Sequence, residues 1–251
     1  MVSDDVDDSY QVDGIADDAT GDRTHKVELG GNFKIEEIKF GTGAWQTLGS
    51  KTAVPIEKTV TVGVVILRNK TQATGGTPVI AQPVVEKDLV IAQERYAQAG
   101  IRLSWSISTE DPPSGVDLSN GLTEYTSNTP TAEEKALFDG LATVATNDIQ
   151  VFYVNFLSPA PGSTGESFSP AQFNGVAVAR YTNNLVISAT TKGFSTLPHE
   201  LGHLLLNTGG HEGDSKNMMY GVVDNVNRLL AKKRFRLDQQ NTMHSNSNLV
   251  K

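Results

Sequence analysis

The pattern of apolar and polar positions changes character near residue 55. Before that point the apolar runs are short and broken by glycine, as in Phe33–Phe40, which favours small β-strands or a hairpin. After it, β-branched runs typical of buried strands alternate with longer segments of helical periodicity. This pattern predicts a mixed α/β (α+β) fold with an acidic segment over 1–24, a β-rich extension over 25–54 and a main domain over 55–251.

Several elements of the main domain follow from local signals. Thr59–Arg68 predicts a buried strand, and the alternation in Arg102–Ser108 predicts a second strand. Pro83–Ala99 begins with proline and ends before a glycine, as helices commonly do. Thr131 and Glu134 form a capping box for a helix that runs to about Thr146. Further strands are predicted at Gln150–Leu157, Gly175–Arg180 and Leu185–Ala189, polar loops at Asp111–Thr129 and Ser158–Gln172, and a largely helical end at Val226–Asn246, with Leu229, Leu230, Leu237 and Met243 facing the core.

The residues from His199 to His203 read His-Glu-Leu-Gly-His. Residues four apart lie on the same face of a helix, so the two imidazoles can bind one metal ion. Glu200 lies about 100° around the helix, where it can reach a water on the metal without being a ligand. The opposite face is apolar and consists of Leu197, Leu201, Leu204 and Leu205.

The limits of this helix are also predicted. Ser195 or Thr196 can cap its start, and Pro198 is tolerated in a first turn. Gly209 or Gly210 can end it in a left-handed turn, because glycine has no Cβ to clash there.

The stretch HELGHLLLNTGGHEGDSKNMMYG resembles the zinc signature of the metzincin metallopeptidases, which is HExxHxxGxxH followed by a methionine turn. The resemblance implies that His199, His203 and His211 bind zinc and that Glu200 is the general base. It also implies that Met219 lies beneath the metal, as in the matrixin-type branch. The implied fold has a twisted mixed sheet, a long helix, the zinc-binding helix and a small C-terminal subdomain.

The chain departs from that signature because His211 follows His199 by twelve residues rather than ten, which a two-residue insertion near 207–210 would explain. Asp224 is therefore a rival third ligand, and Glu212 and Asp214 are further candidates, because catalytic zinc accepts imidazole or carboxylate.

Two further assignments depend on the resemblance. If Met218 rather than Met219 is the turn methionine, Tyr220 occupies a position where some metzincins have a tyrosine that contacts zinc or stabilises the transition state. Of the two strands predicted before the zinc helix, the earlier one, Gly175–Arg180, is expected to border the cleft. It would pair with an extended substrate through Gly175, Val176, Ala177 and Val178.

Composition narrows the remaining classes of function. Residues 1–22 contain 8 of the 29 acidic residues and no Lys or Arg, which leaves 21 acidic against 21 basic residues in the rest of the chain. The segment predicts a solvated linker, with calcium binding or a switch through Asp22 as alternatives. The absence of cysteine excludes disulfides and cysteine catalysis. The acidic balance argues against nucleic-acid binding, and no apolar run is long enough to span a membrane.

These features together predict a zinc endopeptidase that acts on peptide or protein substrates. Another zinc hydrolase with Asp224 as third ligand, or a non-catalytic zinc-binding adhesion or interaction domain, is the alternative. A monomer is favoured. A secreted or cell-surface location is expected, with a leader already removed, and a cytoplasmic location is the alternative.

Overall fold

The computed structural model describes residues 58–69, 76–124, 129–141, 148–158, 163–173, 181–221, 234–246 and 249–250, and the backbone of four strands before residue 58. The chain divides into two compact units, Met1–Glu57 and Lys58–Lys251. No helix in these ranges has the length and hydropathy that a bilayer-spanning segment requires.

The first unit contains a four-stranded sheet of order β2-β1-β3-β4. Its strands are β1 (Tyr10–Val12), β2 (Ile15–Ala16), β3 (Phe33–Lys39) and β4 (Ala44–Lys51). The third strand confirms the one predicted near Phe33–Phe40. The first two lie inside the acidic segment for which composition predicts a solvated linker, and β1 instead pairs with β3. Asp22 lies outside the described residues.

The second unit is built on a five-stranded sheet of order β10-β11-β8-β5-β6. Every neighbouring pair is parallel except β10 and β11, which are antiparallel. The strands are β5 (Lys58–Leu67), β6 (Ile101–Glu110), β8 (Ile149–Val154), β10 (Gly165–Ser167) and β11 (Asn184–Ser188). Two short strands, β7 (Leu122–Thr123) and β9 (Leu157–Ser158), pair separately.

Helices cover both faces of this sheet because its central strands are apolar on both sides. In β5, Val62, Val64 and Ile66 pack with one hydrophobic core, and Val65 and Leu67 pack with the other. The first core contains α1 (Gln82–Tyr96) and α3 (Thr196–Leu206), and the second contains α2 (Ala132–Leu141). A short helix α4 (Leu237–His244) packs against α3.

Most of the predicted elements of this unit are confirmed. The first helix continues as a 3-10 turn to Ala99 and stops at Gly100, whose φ is 69°. The capping box of α2 is present: Thr131 N–H donates to Glu134 Oε2 at 2.6 Å, and Glu134 N–H donates to Thr131 Oγ1 at 3.2 Å. The mixed α/β class of fold is therefore confirmed, with parallel and antiparallel strands in one sheet.

Other predictions were wrong or fall outside the described residues. The segment predicted to be a loop, Ser158–Gln172, contains the strand β10. This strand cannot be recognised in the sequence, because its three residues are too few to show the alternation typical of a strand. Leu237 is 59% exposed rather than part of the core, whereas Met243 is fully buried as expected. Gly175–Arg180 lies outside the described residues, and so do residues 222–233, which include Leu229 and Leu230.

Candidate metal centre

The helix that carries the His-Glu-Leu-Gly-His motif begins after Ser195, as predicted, but ends differently from the prediction. Ser195 is the N-cap residue, but its side chain makes no capping hydrogen bond, and Thr196 Oγ1 accepts instead from the N–H of Gly193 at 2.9 Å. Asn207, at φ 51° and ψ 54°, makes the left-handed turn expected of Gly209 or Gly210. Asparagine tolerates this region better than most residues. Its N–H bonds back to the helix, and its Oδ1 accepts from the N–H of Ala171 at 2.7 Å.

The two helical histidines are oriented by carbonyl oxygens. Nδ1 of His199 lies 2.9 Å from the carbonyl oxygen of Met218, and Nδ1 of His203 lies 2.8 Å from that of Thr208. A carbonyl oxygen only accepts, so each Nδ1 donates a proton and each Nε2 keeps a lone pair. The two Nε2 atoms lie 3.1 Å apart. Two lone pairs at that distance repel each other, and a metal cation between them would replace the repulsion with attraction.

His211 completes a group of three imidazoles. Its ring centroid lies 5.2 Å from that of His199 and 5.0 Å from that of His203. One nitrogen from each of the three residues lies within 4.8 Å of the others, so the group could hold a metal ion. Tetrahedral zinc with Zn–N bonds of 2.0–2.1 Å requires nitrogens roughly 3.3 Å apart. The Nε2 atoms of His199 and His203, 3.1 Å apart, are close to that spacing, and a nitrogen of His211 lies within 4.8 Å of both. Burial lowers the pKa of His203 to about 4, and so keeps it neutral as a ligand must be.

Two of the three acidic alternatives to His211, Glu212 and Asp214, are engaged elsewhere. The Glu212 carboxylate accepts from Arg236 Nη1 at 2.6 Å and from Gln239 Nε2 at 3.2 Å. Asp214 Oδ1 accepts from the N–H of Lys216 at 2.9 Å, as in a local turn. Neither belongs to the group of metal-binding side chains found among the described residues. Asp224 lies outside those residues.

Glu200 is buried beside this group, with 6% of its surface exposed. Burial raises the pKa of its carboxyl group to about 8, and a hydrogen bond from Ser167 opposes that shift. A Cβ added to Gly165 would lie 2.8 Å from Glu200 Cγ, so the strand can approach the carboxyl group because residue 165 has no side chain. Neither Gly165 nor Ser167 is recognisable as a site residue from the sequence, because both lie in the segment predicted to be a loop.

The two methionines after the third histidine have different positions. Met219 lies against Gly202 of the motif, so close that a Cβ added to Gly202 would overlap Sδ of Met219. Met218 instead contributes the carbonyl that orients His199. Both are at most 1% exposed. Asn217 holds the turn, since its Oδ1 accepts from the N–H of Met219 at 2.8 Å.

The loop around this turn returns to the third histidine. The N–H of Glu212 donates to the carbonyl of Met219 at 2.8 Å, and Tyr220 forms a β-bridge with Glu212. A Cβ on Gly221 would lie 3.3 Å from the ring of His211, so the glycine leaves space for that ring. The role predicted for Tyr220 stays a prediction.

A cavity of about 290 Å³ connects these groups. Its walls include the base candidate, two of the three histidines and the strand β10, and they consist of Glu124, Ser163, Gly165, Glu166, Ser167, Gln172, Glu200, His203, Gly209 and His211. The strand bordering this cavity is thus β10, at the antiparallel edge of the described sheet. The strand predicted for this role, with Gly175, Val176, Ala177 and Val178, lies outside the described residues.

Comparison with known proteins adds no relative: no protein-family model and no curated protein matches the chain. A function for this centre has to be inferred from the chemistry and geometry of its own residues.

Proposed function

We propose that this chain is a zinc-dependent endopeptidase in which His199, His203 and His211 bind the metal and Glu200 is the general base. The observation that carries the proposal is the convergence of three imidazoles beside a buried carboxyl group, next to a cavity bordered by a sheet edge. A purely structural zinc site has no need of such a carboxyl group or cavity.

The donor set suits zinc. Three neutral imidazoles leave a fourth coordination position open, as catalytic zinc requires, whereas calcium and magnesium prefer oxygen ligands. When bound, zinc supplies Lewis-acid chemistry: it polarises the carbonyl to be attacked and lowers the pKa of water to about 7. The carbonyls of Met218 and Thr208 hold the rings of His199 and His203 in the tautomer that exposes Nε2.

Glu200 lies where a general base is needed. It is the residue after the first ligand, so its side chain leaves the helix next to the metal-binding face. Ser167 holds its carboxyl group toward the cavity by a hydrogen bond. From there Glu200 would take the proton of the attacking water and deliver it to the departing amine.

The edge of the sheet favours an extended peptide as substrate. Thr164 and Phe168 make their main-chain hydrogen bonds to β11, through Ser188 N–H to Thr164 carbonyl and Phe168 N–H to Asn184 carbonyl. Since main-chain groups alternate along an antiparallel strand, those of Gly165 and Ser167 face away from β11. They can pair with a peptide laid along β10, which is recognition by β-strand addition.

Casein cleavage by zinc-loaded protein tests the proposal. We expect the wild type to cleave and Glu200→Ala to retain zinc but lose at least about 100-fold in rate, which is typical of a missing general base. Glu86→Ala, which removes an exposed carboxylate on α1, is the matched control and should cleave as the wild type does. Equal cleavage by Glu200→Ala and wild type would contradict the role of Glu200. Zinc binding without cleavage would favour the adhesion or interaction domain.

The third ligand is tested by zinc content rather than by activity. His211→Ala should lower the bound zinc after dialysis, and Asp224→Ala should leave it unchanged. The reverse result would identify a zinc hydrolase with a carboxylate as third ligand.

A further inference from the structure

Glu166 lies in the middle of β10, between the two residues that face the metal-binding helix. Gly165 and Ser167 both approach Glu200 of α3. Because side chains alternate along a strand, Glu166 projects from the other face of the sheet. There its carboxyl group forms a hydrogen bond with that of Glu134, on α2.

Glu166 is buried among acidic groups of the described residues. Only 8% of the residue is exposed, and its Oε2 makes no hydrogen bond within the described part of the chain. Among the described residues, the charged groups that act on it are the carboxyl groups of Glu134, Glu124 and Glu200. Burial, followed by these neighbours, raises the pKa of Glu166 well above its usual value. A buried oxygen without a partner is costly, so a cation at this position would be strongly favoured.

Strand geometry would bring one side chain of a bound peptide next to Glu166. A peptide paired with the main chain of Gly165 and Ser167 presents one residue directly opposite Glu166. Side chains directly opposite each other on antiparallel strands lie on the same face, with Cβ atoms about 4.5–5.5 Å apart. Glu166 and Glu124 both line the cavity that contains the candidate base.

We infer that the peptide bound along β10 carries lysine or arginine at the position opposite Glu166, and that Glu166 and Glu124 bind its cationic group. This inference rests on the proposed function, in that it takes the side of β10 that faces away from β11 as the peptide-binding site. A cationic group can donate hydrogen bonds to Glu166 Oε2, which has no partner among the described residues, and its charge balances that of the carboxylates. A neutral side chain of the same size brings no such charge, and an acidic one adds repulsion.

Peptide binding to a protein that cannot cleave tests this inference independently of turnover. Fluorescein-labelled hexapeptides carry one arginine, or one citrulline of nearly the same size and no charge, at each position in turn. Their Kd values are measured by anisotropy with zinc-loaded Glu200→Gln. We expect one position at which the arginine peptide binds about tenfold more tightly than its citrulline partner, as for a charge-assisted hydrogen bond.

Two double variants assign the preference. Adding Glu166→Gln should reduce the ratio to about one, because the amide can still donate to Glu134 but no longer binds a cation as a carboxylate does. Adding Glu86→Gln instead, which changes the net charge equally, should leave the ratio unchanged. Circular dichroism melting checks that Glu166→Gln is folded.

The outcomes separate this inference from the peptidase proposal. A ratio near one at every position, a ratio that survives Glu166→Gln, or no binding of any peptide would overturn the inference. If wild type cleaves the same peptides without preferring arginine, the peptidase proposal stands and the inference fails. If arginine is preferred in binding and lost with Glu166→Gln but wild type cleaves nothing, the inference stands and the peptidase proposal fails.

Discussion

Replacing Gly202 with alanine should destabilise the second unit, although the same change stabilises most helices. Alanine ordinarily gains about 0.5–1 kcal/mol over glycine inside a helix, because glycine loses more backbone entropy on folding. At position 202 the added Cβ would overlap Sδ of Met219 and lie 3.3 Å from Cε1 of Phe235. Met219 and Phe235 are 1% and 2% exposed, so neither can move aside into solvent.

The magnitude follows from two opposing contributions. Overpacking a buried site costs about 1–3 kcal/mol, and the gain in helix propensity offsets part of it. The net loss in the free energy of unfolding should be about 1–2 kcal/mol, which lowers the melting temperature of a unit of this size by about 3–6 °C.

Thermal unfolding of the metal-free protein, followed by circular dichroism, measures this loss without a contribution from bound zinc. Gly213→Ala is the control, because an added Cβ there meets nothing within 4 Å and the melting temperature should hardly change.

A double-mutant cycle identifies the cause. Met219→Ala alone should cost about 2–5 kcal/mol by leaving a cavity. In that background Gly202→Ala should be neutral or stabilising, since the new methyl group partly fills the space. An equal loss in both backgrounds, or a higher melting temperature for Gly202→Ala alone, would refute the contact with Met219 as the reason for glycine at this position.

Three further predictions concern other contacts of the second unit. Glu212→Gln should keep its zinc in equilibrium dialysis, because its carboxylate binds Arg236 rather than the metal; a loss of zinc would contradict that. Asn207→Ala should lower stability in thermal melting by about 1–2 kcal/mol, through left-handed strain and a lost hydrogen bond, and Asn207→Gly should lower it less. Burial raises the pKa of Asp88 above its usual value, despite its 2.7 Å ion pair with Lys192. Between the usual pKa of about 4 and the raised pKa, the folded protein therefore keeps a proton on Asp88 that the unfolded chain has lost, and the free energy of unfolding should fall as pH rises through this range. Asp88→Asn should flatten that slope while lowering overall stability, and an unchanged slope would rule out Asp88 as its origin.

The parts of the fold that were predicted correctly depend on neighbours in sequence. The apolar run of β5 and the helix between Pro83 and Gly100 are recognisable because periodicity and end signals are local. The strand β10 was missed because Gly-Glu-Ser has neither alternation nor β-branched residues, and its pairing with β11 makes it a strand. The turn at Asn207 was assigned to glycine because propensity favours glycine there. The hydrogen bond from Ala171, which no local pattern reveals, helps asparagine to hold that conformation.

The helix with His199, Glu200 and His203 and its apolar back can be read from local spacing, because residues four apart lie on one face of a helix. His211 is the first choice as third ligand through its place in the chain and a resemblance. Three features depend on the tertiary fold: the contact of His211 with the other two imidazoles, the ion pair of Glu212 with Arg236, and the position of Gly-Glu-Ser at the border of the cavity. Those contacts join residues that are distant along the chain or belong to different elements, and packing of the whole unit rather than any local periodicity determines which of them form.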